Sequence, residues 1–199
     1  MSTETSRPDL DLLNKKFANL ILKQFENRGD RYVCIKPADL PTIVEALKND
    51  PTTKYDYFVE CLGVDYLTWQ HPRDIEGRFE VVYNLYSLHL NERLFIKTAV
   101  NEGETIPTLK EIFLGAEYPE REIQDLYGVI FTGNEPVEGE RFLLPDDWVG
   151  FPLRKDVGLG GEDVVFHEGT EGPAVEDIQM PHAGESFEGT TGSSEISGR

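Results

Sequence analysis

Residues 78–100 constrain the fold more than any other stretch. Phe79, Val81, Tyr83 and Leu85 take every second position in a run from Arg78 to Leu90. That period belongs to a strand with one buried face. A second β run, Arg93 to Val100, follows at once, and the step Asn91-Glu92 predicts a two-residue hairpin connection. A lone hairpin is marginal in water, so this pair needs more strands and a cover. Tyr55 to Thr68 supplies an aromatic, β-branched strand with Gly63 as an expected bulge, and Arg31 to Lys36 a short one.

Helical periods supply the cover. Leu10, Leu13, Phe17, Leu20, Ile21 and Phe25 recur at three- and four-residue steps, which predicts one amphipathic helix over Pro8 to Arg28. Pro8 suits its first turn, Asp9 and Asp11 favour its positive end, and Gly29 is a natural stop. Leu40, Ile43, Val44 and Leu47 predict a second helix over Asp39 to Lys48, ended by Pro51. Thr108 to Leu114 and Pro119 to Tyr127 read as short helices, with Gly128 ending the latter, and Arg141 to Leu144 as a short strand. The order, roughly α-β-α-β-β-β-α, gives an α+β fold: a mixed or antiparallel sheet with helices packed mainly on one side.

Composition limits what such a domain can do. Asp and Glu number 37 against 19 Lys and Arg, a formal charge of −18 over 199 residues. An acidic surface repels phosphate backbones and anionic lipid, so binding to nucleic acid or directly to a membrane is not expected. Residues 1–8 have neither the basic nor the apolar region of a secretory signal. The charge divides the chain. Gly158 to Arg199 carries −8 and nine of the 18 glycines, and it lacks the apolar content to fold alone. The expected organisation is a folded body, 1–157, and an acidic Gly-rich tail, 158–199. That tail is either disordered or an extended arm laid along a partner, with Phe166, Val175, Ile178, Met180 and Phe187 as candidate anchors.

Catalytic signatures are missing. Gly158-Leu-Gly160-Gly161 does not open a helix, so it is no dinucleotide loop. His71, His89, His167 and His182 show no ligand spacing. Cys34 and Cys61 fall in predicted strands and read as inert thiols, with a redox pair as the alternative. Glu122 and Asp125 share a helix face, and Arg121 and Asp125 are placed to pair at i and i+4. One reading makes Glu122 or Asp125 the general base of a stand-alone enzyme; the other is a salt-bridged, solvated face.

The stretch from Ala116 to Asp156 is more specific. Glu120, Arg121, Glu122 and Asp125 precede Leu126, Tyr127 and Gly128. After a loop come Leu144, Pro145, Asp146, Asp147, Trp148, Gly150, Pro152, Leu153, Arg154, Lys155 and Asp156. This closely resembles the C-type subunit (the 30 kDa type) of NADH-quinone oxidoreductase, which belongs to the hydrophilic arm of respiratory complex I. Phe58 to Tyr66, Val81 to Leu88 and Ile96 to Thr98 resemble the family too, so the likeness spans about residues 10–157. There are departures. Asn134 stands where the family commonly has a His, the 133–141 loop looks about two residues longer, and Glu140 replaces a basic residue. The aromatic–Pro pair that usually follows Asp156 is missing.

The resemblance implies a structural and assembly subunit without catalytic, cofactor or metal residues of its own. FMN and iron–sulfur clusters would sit in partner subunits. The D-type subunit of complex I would be the main partner, with the B-type and other hydrophilic-arm subunits nearby. The location would be the cytoplasmic side of a bacterial cell membrane, reached only through the complex. Residues Glu120, Arg121, Glu122, Asp125, Trp148, Arg154, Lys155 and Asp156 would form the family motif and subunit interface. Trp148 is a candidate anchor or a core residue. Arg154 and Lys155 are expected to pair with the helix carboxylates inside the domain. In an assembly the extended-arm reading of the tail is the stronger. The same superfamily allows an equivalent subunit of a membrane-bound hydrogenase or of a ferredoxin or F420H2 dehydrogenase complex.

Overall fold

The computed structural model of the chain describes residues 7–136 and 140–157. The tail expected over 158–199 lies outside them.

The first 30 residues depart from the predicted single helix. Helix α1, Pro8–Lys16, ends at Phe17, and strand β1, Ile21–Asn27, pairs antiparallel with β2, Asp30–Ile35. Pro8 does sit in the first turn of α1. Arg28 and Gly29 both take positive φ (54° and 92°), the geometry of a two-residue hairpin turn. Leu20, Ile21 and Phe25 fit a helical period, but β1 gains a ladder and an aromatic stack. Phe25, Tyr32 and Phe95 lie ring on ring, 4.9 Å between successive centroids.

The next elements follow expectation closely. Helix α2, Leu40–Asn49, buries Leu40, Ile43, Val44 and Leu47. Strands β3, Tyr57–Asp65, β4, Phe79–Ser87, and β5, Glu92–Val100, complete a five-stranded mixed sheet of order β1-β2-β5-β4-β3. Only β2 and β5 run parallel within it. The β4–β5 turn is longer than the two residues expected. Ser87 pairs with Glu92, and Leu88 to Asn91 form the loop, because the Ser87 hydroxyl accepts from the Leu90 amide and donates to the Thr53 carbonyl.

The bulge in β3 falls between Phe58 and Glu60, not at Gly63. Gly63 instead lets a helix approach: a Cβ there would meet Ile123 at 3.0 Å and Tyr127 at 3.1 Å. That helix is α3, Glu117–Tyr127, which ends at Gly128 with φ 75°. A small parallel pair, β6 Thr105–Pro107 with β7 Ile130–Thr132, brackets α3 in sequence. Over the predicted 108–114 helix, the residues before Leu114 form turns, and a 3-10 turn spans Leu114–Ala116.

Side chains of α1, α2 and α3 share one core with Val33, Ile35, Val81, Tyr83, Leu85, Leu94 and Ile96. The helices therefore cover one face of the sheet. Among the described residues, the opposite face holds a small cluster of Cys34, Ile75 and Ala99, with Phe25 packed against it.

Candidate functional site

Helix α3 and the segment 140–157 form one unit. Glu120 is fully buried and collects donors from three directions. It accepts from the Leu109 amide at 2.9 Å, the Asn134 amide group at 3.0 Å, the Tyr83 hydroxyl at 3.4 Å and the Thr108 hydroxyl. Burial pushes its carboxyl above the usual range, although each of these donors pulls the other way. Asn134 also donates to the Glu117 carbonyl at 3.0 Å, which ties the end of β7 to the start of α3.

Asp125 is nearly buried and fastens the returning chain. It accepts from the Leu143 and Leu144 amides at 2.8 and 2.9 Å. Its other oxygen lies 2.9 Å from Arg141 Nε, a charge contact rather than an aligned hydrogen bond. Residues 141–144 are therefore not the expected strand; the Leu143 and Leu144 amides are satisfied by a side chain. Arg141 reaches on to the Gly150 carbonyl at 2.7 Å. The expected Arg121–Asp125 pair does not form. Arg121 lies over the Phe142 ring at 5.2 Å, and Tyr118 stacks on the same ring. Glu122 is exposed while Asp125 is buried and saturated, so the two do not converge on one reacting atom. The face is neither the solvated one expected nor a free acid–base pair.

The end of the segment is tied to the sheet. Arg154 Nε donates to the Tyr127 carbonyl at 2.7 Å, capping α3, and its Nη1 meets Glu102 at 2.5 Å. Its guanidinium also stacks on Phe151 and Phe79. The Lys155 amide donates to Asp65 at 2.9 Å, and Asp156 pairs with Arg78 at 2.9 Å. In place of the links expected with the helix carboxylates, Arg154 pairs with Glu102 and the Lys155 amide bonds Asp65. The helix carboxylates lie back along α3 from its C-terminus, where Arg154 is spent on the open carbonyl.

Arg78 is the centre of this corner. It holds Asp65 by two bonds of 3.0 and 3.2 Å and Glu102 at 3.1 Å. Burial raises the Asp65 carboxyl, but the Arg78 bonds and the Lys155 and Leu67 amides outweigh it and hold the group below its usual range. Arg78 and Glu102 carried no signal in the sequence, and Arg141 lay inside the 116–156 stretch without a role of its own. Asp65 lay inside the recognised stretch without a role.

With Phe142 and Phe151 clamped inward, the tip of the segment faces solvent. Trp148 is 48% exposed and Val149 93%. Leu143, Leu153 and Val157 of the same segment are also exposed. Trp148 is therefore no core residue.

Cys34 and Cys61 are both buried and unbonded. Cys34 pairs with Lys97 on the uncovered face and Cys61 with Tyr83 on the helix face, three strand spacings or about 14 Å apart. They form no redox pair, and burial pushes the Cys34 thiol up to about 11. Among the described residues no group of three His, Cys, Asp or Glu side chains is placed to hold a metal ion.

The model of the respiratory-chain NADH dehydrogenase 30 kDa subunit family matches residues 33–163. The chain belongs to that family. The C-type subunit of NADH-quinone oxidoreductase from Roseiflexus sp. (strain RS-1) is 40% identical over 158 residues, covering 79% of this chain and 86% of that one. Its counterpart from Geobacter metallireducens is 40% identical over 159 residues, 79% and 92% of the two chains. A solved trypsin-resistant fragment of Nqo5 matches with 27% identity and TM-score 0.57, over 65% of this chain and 99% of the fragment. A chain of an archaeal membrane-bound sulfane sulfur reductase shares the fold alone, at 23% identity and TM-score 0.60, over 75% of this chain and 83% of that one.

Proposed function

We propose that the chain is a structural and assembly subunit of the peripheral arm of NADH-quinone oxidoreductase, and that it docks on a neighbouring subunit through the Trp148 face. One observation carries the docking role. A half-exposed tryptophan beside a nearly bare valine projects from a segment anchored to the domain at both ends by Asp125 and Arg154. Anchoring lowers the ordering cost of binding, and aromatic anchors dominate interface energies.

In this reading Glu120, Arg121, Asp125, Arg154 and Asp156 shape the surface from within. Trp148 and the exposed Lys155 side chain face the partner. The main partner is the D-type subunit, with the B-type and other hydrophilic-arm subunits adjacent. FMN and iron–sulfur clusters belong to other subunits of the complex and supply its electron transfer from NADH to quinone. This polypeptide contributes position rather than chemistry. The body, 1–157, is the docking unit, and the acidic Gly-rich tail, 158–199, lies along a partner.

No described helix is long and apolar enough to cross a membrane. In this reading the chain is peripheral, on the cytoplasmic side of a bacterial membrane, and meets the membrane only through the complex. The related hydrogenase, ferredoxin and F420H2 complexes are not favoured by the NADH-quinone oxidoreductase relatives. Affinity purification of the tagged full chain from its own cells tests the proposal. The D-type and B-type subunits should be identified by mass in the eluate; a chain recovered without them would overturn it.

A further inference from the structure

The sheet has two edges, and they differ. Natural sheets blunt free edges with Lys, Pro or a cover, because an open strand offers unpaired N–H and C=O groups. Strand β1 carries Lys23 at its edge, held to Asp74 at 2.7 Å. Strand β3 has no Lys, Arg or Pro in nine residues. Among the described residues, no backbone or side-chain group bonds to the outer side of its 57–64 backbone. The bulge leaves Val59 unpaired and limits the regular edge to 60–65.

We infer that this edge accepts an extended basic segment of a neighbouring protein as a sixth strand, an inference that rests on the chain working inside a larger assembly but uses a surface other than the Trp148 face. Main-chain bonds would supply the pairing, and flanking side chains the selectivity. Glu60 and Leu62 pair with Asn84 and Val82 and share the uncovered face. Leu62 is exposed and offers an apolar contact to alternate side chains of an added strand.

Charge selects the occupant. Glu60 is exposed on that face, and Glu122 is exposed on α3, which covers the other. Neither has an ion-pair partner among the described residues. Both bear on the buried Cys61 thiol, which burial chiefly and then Glu120, Glu122 and Glu60 hold well above its usual range. Carboxylates thus bracket the edge from either side of the sheet. A second copy would set Glu60 against like charge on a chain of net charge −18. A strand bearing Lys or Arg at alternate positions is complementary on both counts.

Hydrogen exchange on the full chain, alone and within the purified complex, tests this. The outward amides of 60–65 should slow at least about tenfold on assembly, in an alternating pattern, since inward amides are already paired to β4. The double variant Glu60→Lys/Glu122→Lys, folded as judged by an unchanged melting curve, should lose that slowing. A complex that forms with these amides unprotected overturns the inference while leaving the Trp148 face intact. Protection that survives the double variant overturns the basic occupant and the inference with it. A complex that fails to form overturns the docking reading itself.

Discussion

Gly128 ends α3 at the place where the returning segment crosses it, so Gly128→Ala strikes both features at once. The residue holds φ 75°, a region that costs an alanine about 1 kcal/mol. An added Cβ would lie 2.6 Å from both Phe151 Cε2 and Arg154 Nη2. Ordinary carbon contacts begin near ~3.5 Å, so ring and guanidinium must each give way by roughly 1 Å. Neither is loose, because Arg154 is held by the Tyr127 carbonyl and Glu102 and stacks on Phe151. Overpacking of this kind costs about 1–3 kcal/mol, giving a loss near ~3 kcal/mol in all. For a chain of this size that lowers the Tm by roughly 6–12 °C. Gly103→Ala is the matched control, since Gly103 has φ 82° and nothing within 4 Å of its would-be Cβ. It should lose only the backbone share, about 1 kcal/mol. Urea unfolding at equal m-values measures both. Equal losses in the two variants would refute the close crossing of Phe151 and Arg154 over α3.

Three further outcomes follow from the buried carboxylates. Asp125→Ala leaves the Arg141 guanidinium without its counter-charge and two amides without an acceptor, and should cost about 3–5 kcal/mol, read as a lowered urea midpoint. Asn134→Asp sets a second carboxylate beside Glu120, 3.0 Å from its present donor, and should destabilise the domain at pH 7 by about 2–4 kcal/mol, with partial recovery on acidification as the pair takes up a proton. Asp9 and Asp65 set the acid limb of stability. Burial raises Asp9, but the Arg7 and Tyr55 hydrogen bonds and the Arg7 charge more than reverse it, and Asp65 is likewise held below its usual range. Their stabilisation is full above the unfolded carboxylate value near ~4 and is lost as pH falls through the lower folded values. Thermal melts should show stability rising from about pH 3 to 5, and Asp9→Asn should flatten that rise.

Much of the fold was legible because its strands are long and strictly alternating. The period of β4 and the apolar face of α2 each mapped onto the core. Residues 17–27 misled because Leu20, Ile21 and Phe25 satisfy a helical step, while the deciding fact is a turn with Arg28 and Gly29 both at positive φ. That choice depends on a partner strand, which no local pattern encodes. The motif around α3 was legible as a pattern but not as a set of contacts. Glu120, Asp125 and Arg154 were visible as residue types. Their partners were a Thr108 hydroxyl, backbone amides at Leu143 and Leu144, and the Tyr127 carbonyl, groups that nearly any sequence offers. Arg78 escaped notice because the groups it joins lie 13, 24 and 78 positions away. The exposure of Trp148 could not be read at all, since a tryptophan between two prolines suits a core and an interface equally.

The docking role stands or falls on Trp148→Ala, assayed by co-purification with the D-type subunit. About half of the tryptophan surface, roughly 100 Å², is available for burial by a partner, worth about 2.5 kcal/mol. Binding to the D-type subunit should weaken by at least ~30-fold, while the isolated variant, which also loses the half of the side chain that the domain covers, stays cooperatively folded with a melting temperature lowered by roughly 5–10 °C. Undiminished co-purification would contradict the claim that this face is the docking surface.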